Sequence, residues 1–401
     1  MTASRRPNAP PVYLDYQATT PCDPRVVEAM LPYFTEKFGN PGSLTHAYGR
    51  EAAAAVEQAR CQLAELIGAE PREIVFTSGA TESNNTAVKG AAHFHRQFGK
   101  DHIVTLATEH KCVLESARAL AEEGFRVTYV PVGRDGLVDL DRLEAAISDQ
   151  TSVVSVMAAH NEIGVIQPLK EISALAHAKG ALFHSDAAQA VGKMPFDVEE
   201  IGLDLASISG HKIYGPKGVG ALYLRRRPRA RITPLIDGGG QERAMRSGTL
   251  PVPLIVGLGR AAAIAQSEME GETRRLLALR ARLLNGLKSR FPALVLNGHA
   301  EKRLPGNLNL SFPGIKALDL IASCPGLALS TGSACTAAEV EPSYVLKALG
   351  LGEDIAGSSL RIGIGRFTTA TEIDFAVEAV AAALNRLRSG PGVTSASGGT
   401  T

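Results

Sequence analysis

Apolar residues along this chain recur with two periods, and the switch between them marks out most of the architecture. After Asp23-Pro24, the residues Val27, Met30, Leu31 and Phe34 return at helical spacing. Asp accepts from unpaired N–H groups and proline fits the first helical position, so a helix is expected to open there. A second helix is expected from about Glu51 to near Gly68, a residue suited to the left-handed C-terminal position. From Glu73 the pattern shortens to β-branched runs at 74–77, 103–106, 127–130, 153–157, 181–184, 205–208 and 220–224. Helical stretches such as 169–179 separate most of them. Strand–helix–strand alternation predicts an α/β fold with a mostly parallel sheet covered by helices on both faces.

Beyond Pro251 a long Ala/Leu/Arg helix is expected over about 253–290, followed by a smaller α+β region with runs at 307–312 and 327–330 and a last helix near 372–387. The expected organisation is a large domain over 21–262 and a small domain over 263–388, with an N-terminal arm (1–20) packing with the small domain. Residues 389–401 are Ser/Gly-rich and too poor in apolar side chains to pack, and are expected to be a disordered tail.

Composition narrows the function classes. The 401 residues include 42 Lys+Arg against 41 Asp+Glu, a net charge of +1 that gives no reason to expect nucleic acid or an anionic membrane as partner. The basic run Arg225-Arg226-Arg227-Pro228-Arg229-Ala230-Arg231 reads as a solvated strand end. The five cysteines are scattered, with no C-x-x-C pair, which fits a reducing compartment. Residues 1–10 lack an apolar signal core and no segment approaches the roughly 20 apolar residues of a membrane span, so the expected location is the cytoplasm.

Four signals stand at the ends of expected strands, where open α/β sheets place their ligands. Thr77-Ser78-Gly79-Ala80-Thr81-Glu82-Ser83 is a small-residue turn into a helix, whose N–H groups suit a phosphate. Asp186, in Phe183-His184-Ser185-Asp186-Ala187-Ala188-Gln189, ends an apolar strand, a costly place for a carboxylate without a partner. A protonated pyridine nitrogen is such a partner, and so is a helix N-cap. Lys212 follows Ser207-Ile208-Ser209-Gly210-His211, where desolvation would make an amine reactive toward an aldehyde. Ser209 and His211 stand close enough in sequence to reach the phosphate. His110, in Thr108-Glu109-His110-Lys111, could stack on a ring and pass protons near neutral pH. The run Gly215-Pro216-Lys217-Gly218-Val219-Gly220 leads into a strand, where a dinucleotide fingerprint would open a helix, and is set aside.

Together with His160-Asn161-Glu162-Ile163-Gly164 and Arg246-Ser247-Gly248-Thr249, these motifs occur in an order that resembles the cysteine desulfurases of the class V aminotransferase branch. These are pyridoxal-phosphate (PLP) enzymes of fold type I, and the likeness runs from about Tyr13 to Leu387. It implies that Lys212 holds the cofactor covalently, Asp186 faces the pyridinium and Gln189 the ring hydroxyl. Ala80, Thr81, Ser209 and His211 would hold the phosphate, Asn161 would touch cofactor and substrate, and Thr249 would reach the neighbouring subunit's phosphate in a homodimer.

The loop Ser330-Thr331-Gly332-Ser333-Ala334-Cys335-Thr336 is small and polar, which suits a mobile nucleophilic thiol, and it resembles the loop of group I desulfurases, linked to general iron–sulfur assembly. Cys22, Cys61, Cys112 and Cys324 read as small buried hydrophobes. Arg361 matches the family's substrate arginine and would bind the carboxylate of L-cysteine. The implied reaction converts L-cysteine to L-alanine and leaves the sulfur as a persulfide on Cys335. A free thiol titrates near 8.5, so a base should help ionise it, and His110 is the candidate. Transamination has no use for Cys335, and a non-catalytic sulfur-relay scaffold needs neither Lys212 nor Asp186. Selenocysteine lysis shares the chemistry and stays open. The sulfur acceptor is expected to be an iron–sulfur scaffold, a sulfur carrier or a tRNA thiolation enzyme. The Ser/Gly tail departs from the acidic, aromatic tail that helps relatives dock their scaffold, and leaves that choice open.

Overall fold

The structure, a computed structural model, describes residues 10–332 and 343–389. The chain divides into two compact units: Gln17–Thr273 with Gly298–Leu304, and the remainder (up to Tyr16, Arg274–Asn297 and from Pro305 on). The division falls within the long helix Val252–Arg290, past residue 262. Residues 298–304 return to the larger unit because Arg303 bridges Val165 as an isolated antiparallel pair and donates to the Ile163 carbonyl at 2.8 Å.

The larger unit is built on a seven-stranded sheet. Its order is Ile74–Thr77, Gly220–Leu224, Leu205–Ser209, Leu182–Asp186, Thr151–Ser155, His102–Leu106 and Arg126–Val130. Only Gly220–Leu224 runs antiparallel to its neighbours. The other six therefore point the same way and deliver their C-terminal ends to one edge. The four central strands, Leu205–Ser209, Leu182–Asp186, Thr151–Ser155 and His102–Leu106, are buried throughout except at half-buried Leu182, which explains their continuous apolar runs. Gly220 is required by a close approach: a Cβ there would stand 2.4 Å from the Ile208 carbonyl oxygen and 2.6 Å from Gly79 Cα.

Three local readings change. The first helix ends at Met30 and a separate turn, Pro32–Thr35, follows, because Pro32 has no N–H to continue the ladder. Of its apolar stripe only Met30 is buried, while Val27, Leu31 and Phe34 are exposed. The next helix runs Ala47–Leu66, earlier than its apolar pattern, because the His46 ring caps it by accepting the Gly49 N–H at 3.2 Å. In the basic run, Arg225 is buried against Asp204 (3.4 Å), and the arginines after it are exposed.

The smaller unit has an antiparallel sheet of Ser359–Gly363, Asn307–Ser311 and Val295–Leu296. Its core gathers Leu283, Leu287, Leu310, Phe312, Leu320, Ile362 and Val380, the last from the helix Ala370–Ser389. Val12–Tyr13 pairs in parallel with Leu327–Ala328. Gly390 to Thr401, nearly all of the expected tail, lie outside the described residues.

One buried ion pair shapes the larger unit near its functional edge. Arg60 meets Glu242 twice, at 2.7 and 2.8 Å, and Glu242 also accepts the Phe76 N–H at 2.7 Å. Glu242, Arg243 and Ala244 are consecutive non-glycine residues with φ of 47°, 57° and 63°, a strained left-handed turn that these bonds hold in place. Replacing Glu242 with Ala would take from Arg60 its buried carboxylate partner and from the Phe76 N–H its acceptor. We expect a loss of about 3–5 kcal/mol in urea unfolding, whereas Glu57→Ala, on the exposed partner of Arg60, should cost under about 1 kcal/mol.

Candidate active site

A cavity of about 450 Å³ opens at the C-terminal edge of the sheet in the larger unit. It is lined by Ala80, Thr81, His110, Asn161, Asp186, Gln189, Ser209, His211 and Lys212, so nine residues singled out in the sequence meet in one place. Thr249 does not line it and is exposed in this single chain. Its segment is nevertheless tied to the cavity wall, since Arg246 donates to Glu82 at 2.9 Å. Burial pushes the Glu82 carboxyl up, but Arg246 and Ser78 more than offset this and hold it below the usual carboxylate range.

The floor carries negative charge. Asp186 is the last residue of its strand and is buried. Its Oδ1 accepts the Ala188 N–H (3.0 Å) and its Oδ2 accepts from Asn84 Nδ2 (2.7 Å). Asp186 thus forms a tight turn to Ala188 besides facing the cavity. Asn84 and its contact could not be foreseen, because Asn84 lies 102 residues away in sequence. Glu109 is fully buried, and desolvation, reinforced by the Asp186 charge, raises its carboxyl well above the usual range.

Lys212 supplies the opposite charge. Its Nζ donates to the carbonyls of Gln17 (2.6 Å) and Ala18 (2.7 Å), which hold the amine in place. Gln189 bridges the same segment, donating to the Gln17 carbonyl (2.9 Å) and accepting from Lys193 (2.7 Å). His211 rests on the Thr19 hydroxyl at 3.0 Å. Burial, helped by Lys212, Lys217 and Lys193, lowers its imidazole to about 4. It is therefore neutral at physiological pH and would meet an anion as a hydrogen-bonding group rather than a cation.

The helix Ala80–Arg96 begins at this cavity. Gly79 precedes it with φ 151°, and a Cβ there would meet nothing within 4 Å. The first N–H groups of a helix have no intrahelical acceptor, which makes this end an anion site. An anion cradle, an amine and a buried carboxylate around one cavity fit the phosphate, aldehyde and pyridine nitrogen of PLP in charge and kind.

His110 caps the helix Lys111–Glu122: its Nδ1 accepts the Cys112 N–H at 3.2 Å. The proton of the neutral ring therefore sits on Nε2. Cys112 lines the cavity, contrary to its reading as a plain core residue. Its Sγ is 3.0 Å from His110 Nδ1 and 3.1 Å from Asn84 Nδ2. Cys61 departs from that reading too, being exposed, while Cys324 is buried.

In the smaller unit Arg361 is buried, and its Nη2 and Nε donate to Asp15 Oδ1 at 2.7 and 3.2 Å. The Arg361 N–H donates to the Ser330 carbonyl at 2.7 Å, at the root of the cysteine loop. Cys335 itself lies outside the described residues.

Burial and the Asp186 charge push the Cys112 thiol up to about 12. It should stay protonated through pH 9 and resist alkylation. Brief iodoacetamide treatment at pH 8 followed by peptide mass spectrometry should find Cys61 modified and Cys112 intact. Rapid labelling of Cys112 would contradict this arrangement.

The chain matches the family model described as aminotransferase class-V over residues 12–375. It is 59% identical over 378 residues to the "Cysteine desulfurase IscS" of Rickettsia akari (strain Hartford), covering 94% of this chain and 92% of that protein. Among solved structures, one described as "NIFS-LIKE PROTEIN" superposes with a TM-score of 0.87 at 40% identity, covering 94% of this chain and 99% of that one. Another, "SspA in complex with cysteine", gives a TM-score of 0.78 at 38% identity, over 89% of this chain and all of that one. No helix among the described residues is long and apolar enough to cross a membrane. The motifs, the sheet and the cavity at its edge thus agree with these likenesses, and the chain belongs to the aminotransferase class-V family.

Proposed function

We infer that this protein is a cysteine desulfurase: it takes sulfur from L-cysteine, releases L-alanine and carries the sulfur as a persulfide on Cys335. The observation that carries this reading is the convergence of Lys212, Asp186 and the Gly79-Ala80-Thr81 turn on one cavity, in a chain 59% identical to a desulfurase. The cofactor is pyridoxal phosphate, which when bound supplies the electron sink for cleaving bonds at the amino acid's Cα and Cβ.

The chain's own residues do the rest. Lys212, held by the Gln17 and Ala18 carbonyls, is the amine that holds the cofactor and moves the α-proton. Asp186 would face the pyridine nitrogen, Gln189 the ring hydroxyl, and Ala80, Thr81, Ser209 and His211 the phosphate, since all of them line this cavity. Asn161, on the same lining, would touch cofactor and substrate. His110 lines the cavity, where its Nε2–H would be a proton donor to the reacting groups. Arg361, braced by Asp15, binds the substrate carboxylate. The Cys335 thiolate attacks the substrate sulfur. The S–Cβ bond breaks, an S–S bond forms, and the carbon fragment takes up a proton to leave as alanine. Cysteine plus thiol equals alanine plus persulfide, so no external oxidant is needed.

The working unit is a homodimer in which Thr249 completes the partner's phosphate site. Exposed Val27, Leu31, Phe34, Phe38, Leu44 and Tyr48 support this, because so many large apolar side chains close in sequence mark a surface that is covered in use. The protein acts in the cytoplasm, and its persulfide passes to an acceptor protein of iron–sulfur assembly or another sulfur pathway.

Two variants test the division of labour. Lys212→Ala should lose alanine formation by at least about 10³-fold, the scale of a lost general base combined with a lost covalent anchor. Cys335→Ser should retain the cofactor and still change its absorbance on adding L-cysteine, yet form no protein persulfide. Mass spectrometry locates the added sulfur. Finding it on Cys112 or Cys324 would overturn the assignment of Cys335.

A further inference from the structure

Asp186 lines the cavity, and a second carboxyl group, that of Glu109, is buried close enough to feel the Asp186 charge. Glu109 is wholly buried, and its Oε1 accepts the Met157 N–H at 2.8 Å. Asp186 accepts from Ala188 N–H and from the Asn84 amide, one donor on each oxygen. Hydrogen bonds donated to a buried carboxylate favour its charged form and fix where its oxygens point. The side-chain donor to Asp186 is Asn84, buried in the helix that opens at the cavity.

The orientation of Asn84 is decided by its neighbours. Its Nδ2 lies 2.7 Å from Asp186 Oδ2 and 3.1 Å from Cys112 Sγ, while its Oδ1 is buried without a hydrogen-bond partner among the described residues. Turning the amide over would set that oxygen against a carboxylate. An orphaned amide oxygen is unfavourable in itself, so the site keeps this arrangement at the expense of packing a simpler residue there.

We propose that Asn84 is a positioning residue: its amide holds the charged form of Asp186 and aims it into the cavity, so that Asp186 presents its negative charge to the cofactor's protonated ring nitrogen. This rests on the reading that Asp186 faces that nitrogen.

The test compares Asn84→Leu, Asn84→Ala and Asp186→Asn in the full-length chain. The cofactor is stripped and pyridoxal phosphate is titrated back, followed by its fluorescence and visible absorbance. Loss of a charge-assisted hydrogen bond should weaken cofactor binding by about ten- to a hundredfold in Asn84→Leu, with the visible band of bound cofactor moved to shorter wavelength. Asn84→Ala should bind more tightly than Asn84→Leu, because water entering the vacated space can donate to Asp186. Thermal unfolding of the stripped proteins should rank the other way, since Ala leaves the larger void. If cofactor affinity instead follows thermal stability, with Ala worse than Leu, Asn84 merely fills space and the proposal fails. Parent-like affinity and spectrum in both Asn84 variants, beside weak binding by Asp186→Asn, would also sink it while leaving Asp186 opposite the ring nitrogen. An unchanged Asp186→Asn would remove the underlying reading itself. Should Asn84→Leu not fold, the spectral shift in Asn84→Ala decides.

Discussion

A carboxylate buried at the end of an apolar strand is the constraint on which this site depends. Asp186 ends a strand in which Phe183 to Ser185 are buried, and that packing removes the water which would otherwise solvate it. Its partners must then come from the protein. Ala188 supplies one through the turn that follows the strand, and Asn84 supplies the other from a different element. The Glu109 carboxyl is raised well above its usual range and the Cys112 thiol is pushed up to about 12, and the Asp186 charge contributes to both shifts.

Lys212 is anchored by two backbone carbonyls of the segment 17–18. An amine and a carboxylate on the same cavity suit the aldehyde and the ring nitrogen of one aromatic ligand. The phosphate end is prepared by geometry more than by net charge: a glycine in an unusual conformation, a helix start and a neutral His211. Glu82, paired with Arg246, stitches this end to the 246–249 segment, and the buried Arg60–Glu242 pair holds the strained turn from which that segment leaves.

The sequence by itself determined the fold class and most of the cavity lining. Strand alternation and continuous apolar runs are local signals, and Asp186, Ser209, His211 and Lys212 stand at or just past strand ends, where position along the chain is nearly position in space. Tertiary structure alone decided what depends on distant partners. Asn84 and Cys112 became part of the site only when the helices carrying them packed beside the strand of Asp186. The direction of Gly220–Leu224, the return of residues 298–304 to the larger unit and the pairing of Arg361 with Asp15 are likewise set by neighbours far away in sequence. Periodicity reports which face of an element is buried, but hydrogen-bond partners and charge states follow from which elements meet. Those meetings are fixed by packing summed over the whole core, which no single stretch of the chain records.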